Sequence, residues 1–457
     1  MNKVKLNKNI RIAFCLYVVL FVVLVGYILK LTFIDSKTIA NTPNNPRVAL
    51  TKDDVERGDF YSSDDVILTN RGSENVYLYN EMYAHIIGYN KQGVGVSNLE
   101  AWQGLTLGKL SREFIQSVKS FLNDEDLKGN SIKLTVDHDL QSLITQLIQG
   151  KTGTIIVSDP TTNKILASTS SPNFNPNNVT SAEVSNSENK QFINRATQGL
   201  YAPASTFKMV STLAFIRNYP DYANYTHVCE GTIERGGEVI SCHGNKVHGE
   251  VGLKDALTYS CNTFFISLSD VITADELEET AESLYFNNEY TTDFGVIKSV
   301  MPDLENDYEF YNALIGQGDV LVSPMHLAVI YSAIANNGTA MQPLIFDEII
   351  SYRGDVVQKL MPRKLATLMT VEEANILNDL LDEVAVKGTA SSLYSDNYRV
   401  IGKTGTAQVE GQSDNGLFVG YAPKDNPTVQ VTILYEASGG SSATLSDAKR
   451  IFDFMLN

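Results

Sequence analysis

Ser205-Thr206-Phe207-Lys208 stands just beyond Pro203, at the head of a segment rich in Met, Val, Leu, Ala and Phe. Taken alone it is an ordinary helix start, with a serine N-cap and a lysine one turn on as a surface charge. The same spacing also supports chemistry. Residues i and i+3 share a helix face, so the Lys208 amine can reach the Ser205 hydroxyl. Serine becomes a nucleophile when a base takes its proton, and lysine is such a base only where burial or a nearby cation lowers its pKa. The apolar neighbours Phe207, Met209 and Val210 suit a dry site of that kind.

Two further stretches follow. Ser260-Cys261-Asn262 comes after a helix expected over residues 253–259. As a bare tripeptide it reads as a turn, yet Ser260 can relay a proton between Lys208 and a leaving amine, and the Asn262 amide can hold a peptide group. Lys403-Thr404-Gly405-Thr406 ends a β-run. It reads either as an edge strand with a protective lysine and a glycine bulge, or as a cation and hydroxyls placed for a substrate carboxylate. In the second reading Gly405 lets substrate lie close to the strand. The candidate catalytic residues are therefore Ser205, Lys208, Ser260 and Lys403, and the candidate binding residues are Asn262, Thr404, Gly405 and Thr406.

Around these motifs the chain reads as α+β. Residues 131–136 alternate like a strand, and residues 139–149 repeat at helical spacing. Residues 154–158 and 164–168 are β-rich runs joined by Asp159-Pro160-Thr161-Thr162-Asn163, a hairpin signal. Helical patterns are expected from Thr206 through Val271 and again from Pro324 to Asn336. Strands return at 400–406, 416–421 and 428–435, and Leu445, Ala448, Ile451, Phe452 and Met455 mark a closing amphipathic helix. The expected sheet is antiparallel, flanked by helices and built from both ends of this region.

The 457 residues, 43% hydrophobic and 19% charged, fit a folded chain of two to three domains. The net charge of -17 argues against nucleic acid, which is bound by neutralising phosphates. Residues 12–29, IAFCLYVVLFVVLVGYIL, form an uncharged run long enough to cross a bilayer. Lys3, Lys5, Lys8 and Arg11 precede it, so the N-terminus is expected in the cytoplasm and the bulk of the chain outside. A cleaved signal peptide would end at a small-x-small site, which the following residues lack. The expected organisation is a tail at 1–11, an anchor at 12–34, an accessory domain at 35–130 and a catalytic domain at 131–457, with a Pro-containing linker at 41–47. Cys229 and Cys242 would face an oxidising compartment and could pair as a disulfide. With His243 and His248 they could also suggest zinc, but the close Cys pair of a structural zinc site is missing. No metal and no cofactor is expected.

The ordered triple of motifs resembles the signature of penicillin-binding proteins and serine β-lactamases. Leu134-Thr135-Val136-Asp137, Ser158-Asp159-Pro160, Asn194-Arg195-Ala196, Ile315-Gly316-Gln317-Gly318 and Phe418-Val419-Gly420-Tyr421 extend the resemblance to class B penicillin-binding proteins. It is weaker upstream, through Arg57-Gly58, His85 to Tyr89 and Leu99-Glu100. The resemblance implies a membrane-anchored D,D-transpeptidase that cross-links peptidoglycan stem peptides ending in D-Ala-D-Ala and is acylated by β-lactams. It also implies an accessory pedestal domain, an oxyanion hole from the N–H groups of Ser205 and Thr406, and a separate SEDS-type glycosyltransferase as partner. Two features depart from the pattern. Leu417 stands where many relatives carry tryptophan, and Arg57-Gly58-Asp59-Phe60 lacks the usual acidic-Arg-Asn-Gly turn. A β-lactamase or β-lactam sensor would need a deacylating base, and no glutamate is identifiable by motif. A non-catalytic scaffold would have no need of the intact motifs.

Overall fold

The computed structural model describes residues 8–30, 55–70, 76–102, 127–186, 188, 190–290 and 292–457. At its centre is a five-stranded antiparallel sheet. Its strands are β1 (Thr152–Ser158), β2 (Ile165–Ser171), β3 (Ile401–Ala407), β4 (Asn415–Ala422) and β5 (Val429–Glu436). The order across the sheet is β2-β1-β5-β4-β3, so strands from both ends of the region build one sheet, as expected, and meet where β1 pairs with β5. The β1–β2 hairpin closes where the Asp159 carboxylate accepts from Thr161 N at 2.8 Å and Asn163 takes a positive φ of 53°, the usual chemistry of an Asx turn.

Both faces of the sheet are covered, and this is why every residue of β5 from Val429 to Tyr435 is buried, the polar Gln430 and Thr432 included. The helix Pro324–Ala335 packs on β4 and β5 with residues 324–334 all buried, its start capped by Ser323 accepting from His326 N. A helix apolar on every side belongs inside a core. The closing helix Ser442–Leu456 also packs on β4 and β5 and buries Leu445, Ala448, Ile451 and Phe452, the face read from the sequence.

A second, mixed sheet of four strands joins distant parts of the chain. Ser131–Leu134 pairs parallel with Phe60–Tyr61 and antiparallel with Phe346–Ile350, which in turn pairs with Val356–Lys359. Nearby, Arg57 Nη2 meets the fully buried Glu100 at 2.8 Å, and Tyr77 Oη donates to the other Glu100 oxygen at 3.0 Å. Two of the short stretches that carry the upstream resemblance thus meet in space.

One expectation fails. The stretch from Thr206 to Val271 is not helical throughout: the helix Lys208–Asn218 is followed by the strands Thr226–Cys229, Thr232–Arg235, Glu238–Ser241 and Gly249–Gly252. Thr226–Cys229 pairs with Gly249–Gly252, and the inner two strands form their own hairpin. Glycines with positive φ at 231, 236, 237, 244 and 249 supply the turns, and turn chemistry outweighs helical spacing here. Helices resume at Leu253–Thr258 and Asn262–Ser267.

At the N-terminus the backbone is helical over Lys8–Lys30. Its described side chains, at 14–27 and Lys30, are exposed. Among the described residues no helix is long and apolar enough to cross a membrane. The tail at 1–7, the far end of the expected anchor and the linker at 41–47 lie outside the described residues.

Candidate active site

Ser205 lies in the short 3-10 turn Ala204–Thr206 that feeds the helix Lys208–Asn218. The turn is held from several sides. Ala204 takes a positive φ of 49°, and its N–H donates to Gly316 O at 2.7 Å. Tyr331 Oη donates to Thr206 O at 3.0 Å. Gly316 itself has a φ of +71°, and a Cβ there would lie 2.2 Å from Ala204 O. The Ile315-Gly316-Gln317-Gly318 block is therefore the seat of the serine turn, and its glycine is required by close backbone approach.

Lys208 is fully buried one helical turn past Ser205. Its Nζ donates to Asn262 Oδ1 at 2.6 Å, Ser260 O at 2.8 Å and Ser260 Oγ at 3.2 Å, rather than to Ser205 Oγ. Lys403, also fully buried, donates from the other side to Ser260 Oγ at 3.0 Å. Ser260 thus sits between two amines, in a left-handed conformation with φ 57°. Such backbone strain in a non-glycine residue persists only where its surroundings enforce it.

Burial pushes Lys208 down to about 8. Burial, and then the charge of Lys208, push Lys403 well below the ordinary lysine value. The ammonium of Lys208 thus disfavours that of Lys403. Among the described residues both lysines hydrogen-bond to hydroxyl, amide or carbonyl groups and to no carboxylate; the Phe265 ring lies 5.2 Å from Lys208 Nζ, and Cys261 and Cys242 act to raise Lys208 against the larger effect of burial.

The strand β3 lies at the sheet edge, paired only with β4. Thr404 O accepts from Lys403 Nζ at 3.3 Å and Thr406 O from Gln317 Nε2 at 3.4 Å. Both carbonyls therefore point off the open edge. In an antiparallel strand a residue's N–H lies on the same side as its carbonyl. The open edge beside Ser205 consequently presents the N–H groups of Thr404 and Thr406. A Cβ on Gly405 would meet Pro203 O at 3.0 Å and Thr206 Cγ2 at 3.2 Å. The missing side chain lets β3 close on the serine turn, a different use of the space from the substrate contact expected of it.

All eight residues singled out in the sequence lie on these elements around the lysine–serine–lysine centre. Sequence reading missed Thr389, whose Oγ1 lies 2.7 Å from Thr404 Oγ1, and Tyr331 behind the serine turn. Neither has a local signal; only folding brings them near. The cysteine reading changes as well. Cys229 and Cys242 are free and their sulfurs stand 3.7 Å apart, far from the roughly 2.05 Å of a disulfide.

An edge strand closing on a serine–lysine helix start, with a second serine between two lysines, defines a serine acyl-transfer fold. The chain belongs to the penicillin-binding protein transpeptidase domain family, which matches residues 153–457. It is 26% identical over 444 residues to the peptidoglycan D,D-transpeptidase MrdA of Acinetobacter baumannii, covering 83% of this chain and 66% of that protein. It is 23% identical to the peptidoglycan D,D-transpeptidase PbpA of Mycolicibacterium smegmatis, covering 87% of each. Among solved structures, the D,D-transpeptidase domain of a peptidoglycan glycosyltransferase from Eggerthella lenta superposes with a TM-score of 0.79 at 28% identity, covering 88% of this chain and 98% of that one. The ceftriaxone acyl-enzyme of penicillin-binding protein A from Mycobacterium tuberculosis shares the fold with a TM-score of 0.82 at 21% identity, covering 90% and 100%.

Proposed function

We propose that the chain is a class B peptidoglycan D,D-transpeptidase that works through an acyl-enzyme on Ser205 and is inhibited by β-lactams. The observation that carries this reading is Ser260 Oγ held between the buried amines of Lys208 and Lys403. A stem peptide ending in D-Ala-D-Ala lies along the open edge of β3, its carboxylate met by Thr404, Thr406 and Lys403. Arrival of that carboxylate favours the charged form of Lys403, and the charge on Lys403 in turn favours neutral Lys208. Lys208 then takes the proton of Ser205 as the hydroxyl attacks the penultimate D-alanine carbonyl. Donors from the N–H groups of Ser205 and Thr406 offset the developing oxyanion, a contribution generally worth a few kcal/mol. Ser260 passes the proton to the leaving D-alanine amine, Asn262 holds the peptide, and an amine of a second stem resolves the acyl-enzyme.

That no carboxylate among the described residues hydrogen-bonds to either lysine supports transfer over hydrolysis. The uncharged run at 12–29, whose described side chains at 14–27 are exposed, supports a single-pass anchor at 12–34. The cytoplasmic tail is then 1–11, the accessory domain 35–130 and the external catalytic domain 131–457. Glycan polymerisation would come from a separate SEDS-type glycosyltransferase.

Labelling the detergent-purified full chain with a fluorescent penicillin, beside Ser205→Ala, tests this. A stable adduct on the wild type that is missing from the variant is expected. Rapid turnover with hydrolysed drug would make the chain a β-lactamase, and a folded chain that takes no label would make it a scaffold.

A further inference from the structure

The run Tyr201-Ala202-Pro203-Ala204 that leads into Ser205 is tied to a carboxylate that none of the three motifs contains. Tyr201 Oη donates to Glu436 Oε1 at 2.8 Å, and Arg195 Nε donates to the same oxygen at 2.7 Å. Glu436 is the last residue of β5, opposite Thr152 at the start of β1. Arg195 opens the helix Arg195–Gln198 and its side chain is 5% exposed. It is fixed in its turn: its N–H donates to Ser170 Oγ at 3.0 Å and its Nη1 to Lys190 O at 3.3 Å. Gly199 leaves room for the phenol ring, because a Cβ there would lie 2.4 Å from Tyr201 Cε2.

We propose that Glu436, acting through Tyr201, is a positioning residue for the Ser205 nucleophile. The backbone of the run is held at its start, where Tyr201 N–H donates to Val322 O at 3.0 Å and Val322 N–H returns to Tyr201 O at 2.8 Å. At its end Ala204 carries the left-handed φ of 49°, a conformation that persists only while its surroundings enforce it. Gly316 and Tyr331 hold the turn from one side. The Tyr201–Glu436 bond holds it from the other and fastens it to the central sheet, and a site borne on a strand is placed more precisely than one borne on a loop.

The chemistry of the link suits that task. Two donors on one oxygen call for a carboxylate, whose charge strengthens both bonds. A buried arginine needs a counter-charge, so Arg195 holds the Glu436 side chain where Tyr201 can reach it. Burial, and then the charge of Glu436, push the Tyr201 phenol up, which keeps it a donor. The residues after Glu436 run beside the opposite wall of the site, where a Cβ on Gly440 would lie 3.6 Å from Thr406 Oγ1. One carboxylate thus joins the nucleophile turn to the segment that borders the edge strand. None of the three side chains belongs to the lysine–serine–lysine centre, so the link should act on the rate of attack and leave substrate binding alone.

The proposal rests on the acyl-serine reading, and Tyr201→Phe tests it in the full chain purified in detergent. The variant keeps the ring and the Arg195–Glu436 pair. Fluorescent penicillin should still label every folded chain, but on the order of 10- to 100-fold more slowly, with the affinity of the first, noncovalent complex held. Glu436→Ala should lose at least as much, and Glu436→Gln, which keeps an oxygen for both donors, should recover most of the loss. The double variant Tyr201→Phe/Glu436→Ala should be no slower than Glu436→Ala, since both changes cut one link. A merely structural role would leave part of the chain unfolded and unlabelled while the rest reacted at the wild-type rate. That result, or a Tyr201→Phe variant as fast as the wild type, overturns the proposal. Hydrogen exchange gives an answer that needs no antibiotic. The Ala204 amide, which donates to Gly316 O, should exchange on the order of tenfold faster in Tyr201→Phe, and unchanged protection there overturns the proposal as well. A wild-type chain that takes no stable label would sink the transpeptidase reading alone, because the exchange measurement still decides this one.

Discussion

In β5 residues 429–435 are all buried, whereas the hairpin strands Thr232–Arg235 and Glu238–Ser241 bury none. Both regions are antiparallel β-structure, and both flank the same site. The sheet is held by apolar area on two faces, spread over helices from distant parts of the chain. The hairpins lack that area: Ile233 and Ile240 are only half-buried against the core, and the deeply buried Cys229 and Cys242 stand at their base. The site spans the junction, with Lys403 on the sheet and Ser260 and Asn262 on the turn against the hairpins. Rigidity on one side is a property of packing and on the other a property of a handful of polar contacts.

The largest effect should come from breaking the centre where the regions meet. Lys208→Ala removes the base and should slow penicillin acylation on the order of 10²- to 10⁴-fold, read by stopped-flow, with the melting temperature held or raised because a buried amine is gone. On the sheet side, Phe418→Ala empties a fully buried position and should cost about 3–5 kcal/mol in urea unfolding.

Acylation should also respond to pH through Lys208. As a base it must be neutral, so the rate should climb roughly tenfold per pH unit below about 8 and level off above it. Lys208→Ala should flatten that rise. The stability linkage has the same sign. The folded value lies below the unfolded one near 10.5, so the unfolded chain binds more protons between about 8 and 10.5, and the Lys208 contribution to stability grows with pH across that window.

Thr389→Val, which removes the hydroxyl partner of Thr404, should weaken substrate binding about two- to tenfold through one lost hydrogen bond, seen in KM more than kcat. The smallest change should be Val239→Ser. Val239 is 66% exposed on the hairpin, so unfolding should shift by less than about 0.5 kcal/mol. A large loss there would show that the hairpins are held by packing after all, and would erase the contrast with the sheet.

Local sequence was enough for the elements whose signals are local. The serine–lysine turn spacing, the alternation and apolar runs of β1 to β5, the Ser323-Pro324 cap and the closing amphipathic helix are all written within short windows, because capping and periodicity act between near neighbours. The same signals misled between Thr226 and Gly252, where glycine turns broke a helical spacing. The ordered motifs also singled out eight residues that folding brings around the lysine–serine–lysine centre, since one helical turn or one strand sets each spacing.

What the sequence determined alone was the chemical inventory: a serine at a helix start, two amines, a second hydroxyl and a glycine-bearing strand in a fixed order. Tertiary structure decided how the parts meet. It put Lys208 and Lys403 on opposite sides of one serine and lowered both by burial, placed Gly405 against Pro203, and gave Thr404 its partner Thr389. It also gathered Cys229, Cys242, His248 and Cys261, whose sulfur and ring-nitrogen atoms lie within 4.8 Å of one another. Burial and convergence depend on contacts between residues far apart in the chain, and no short window of sequence records them.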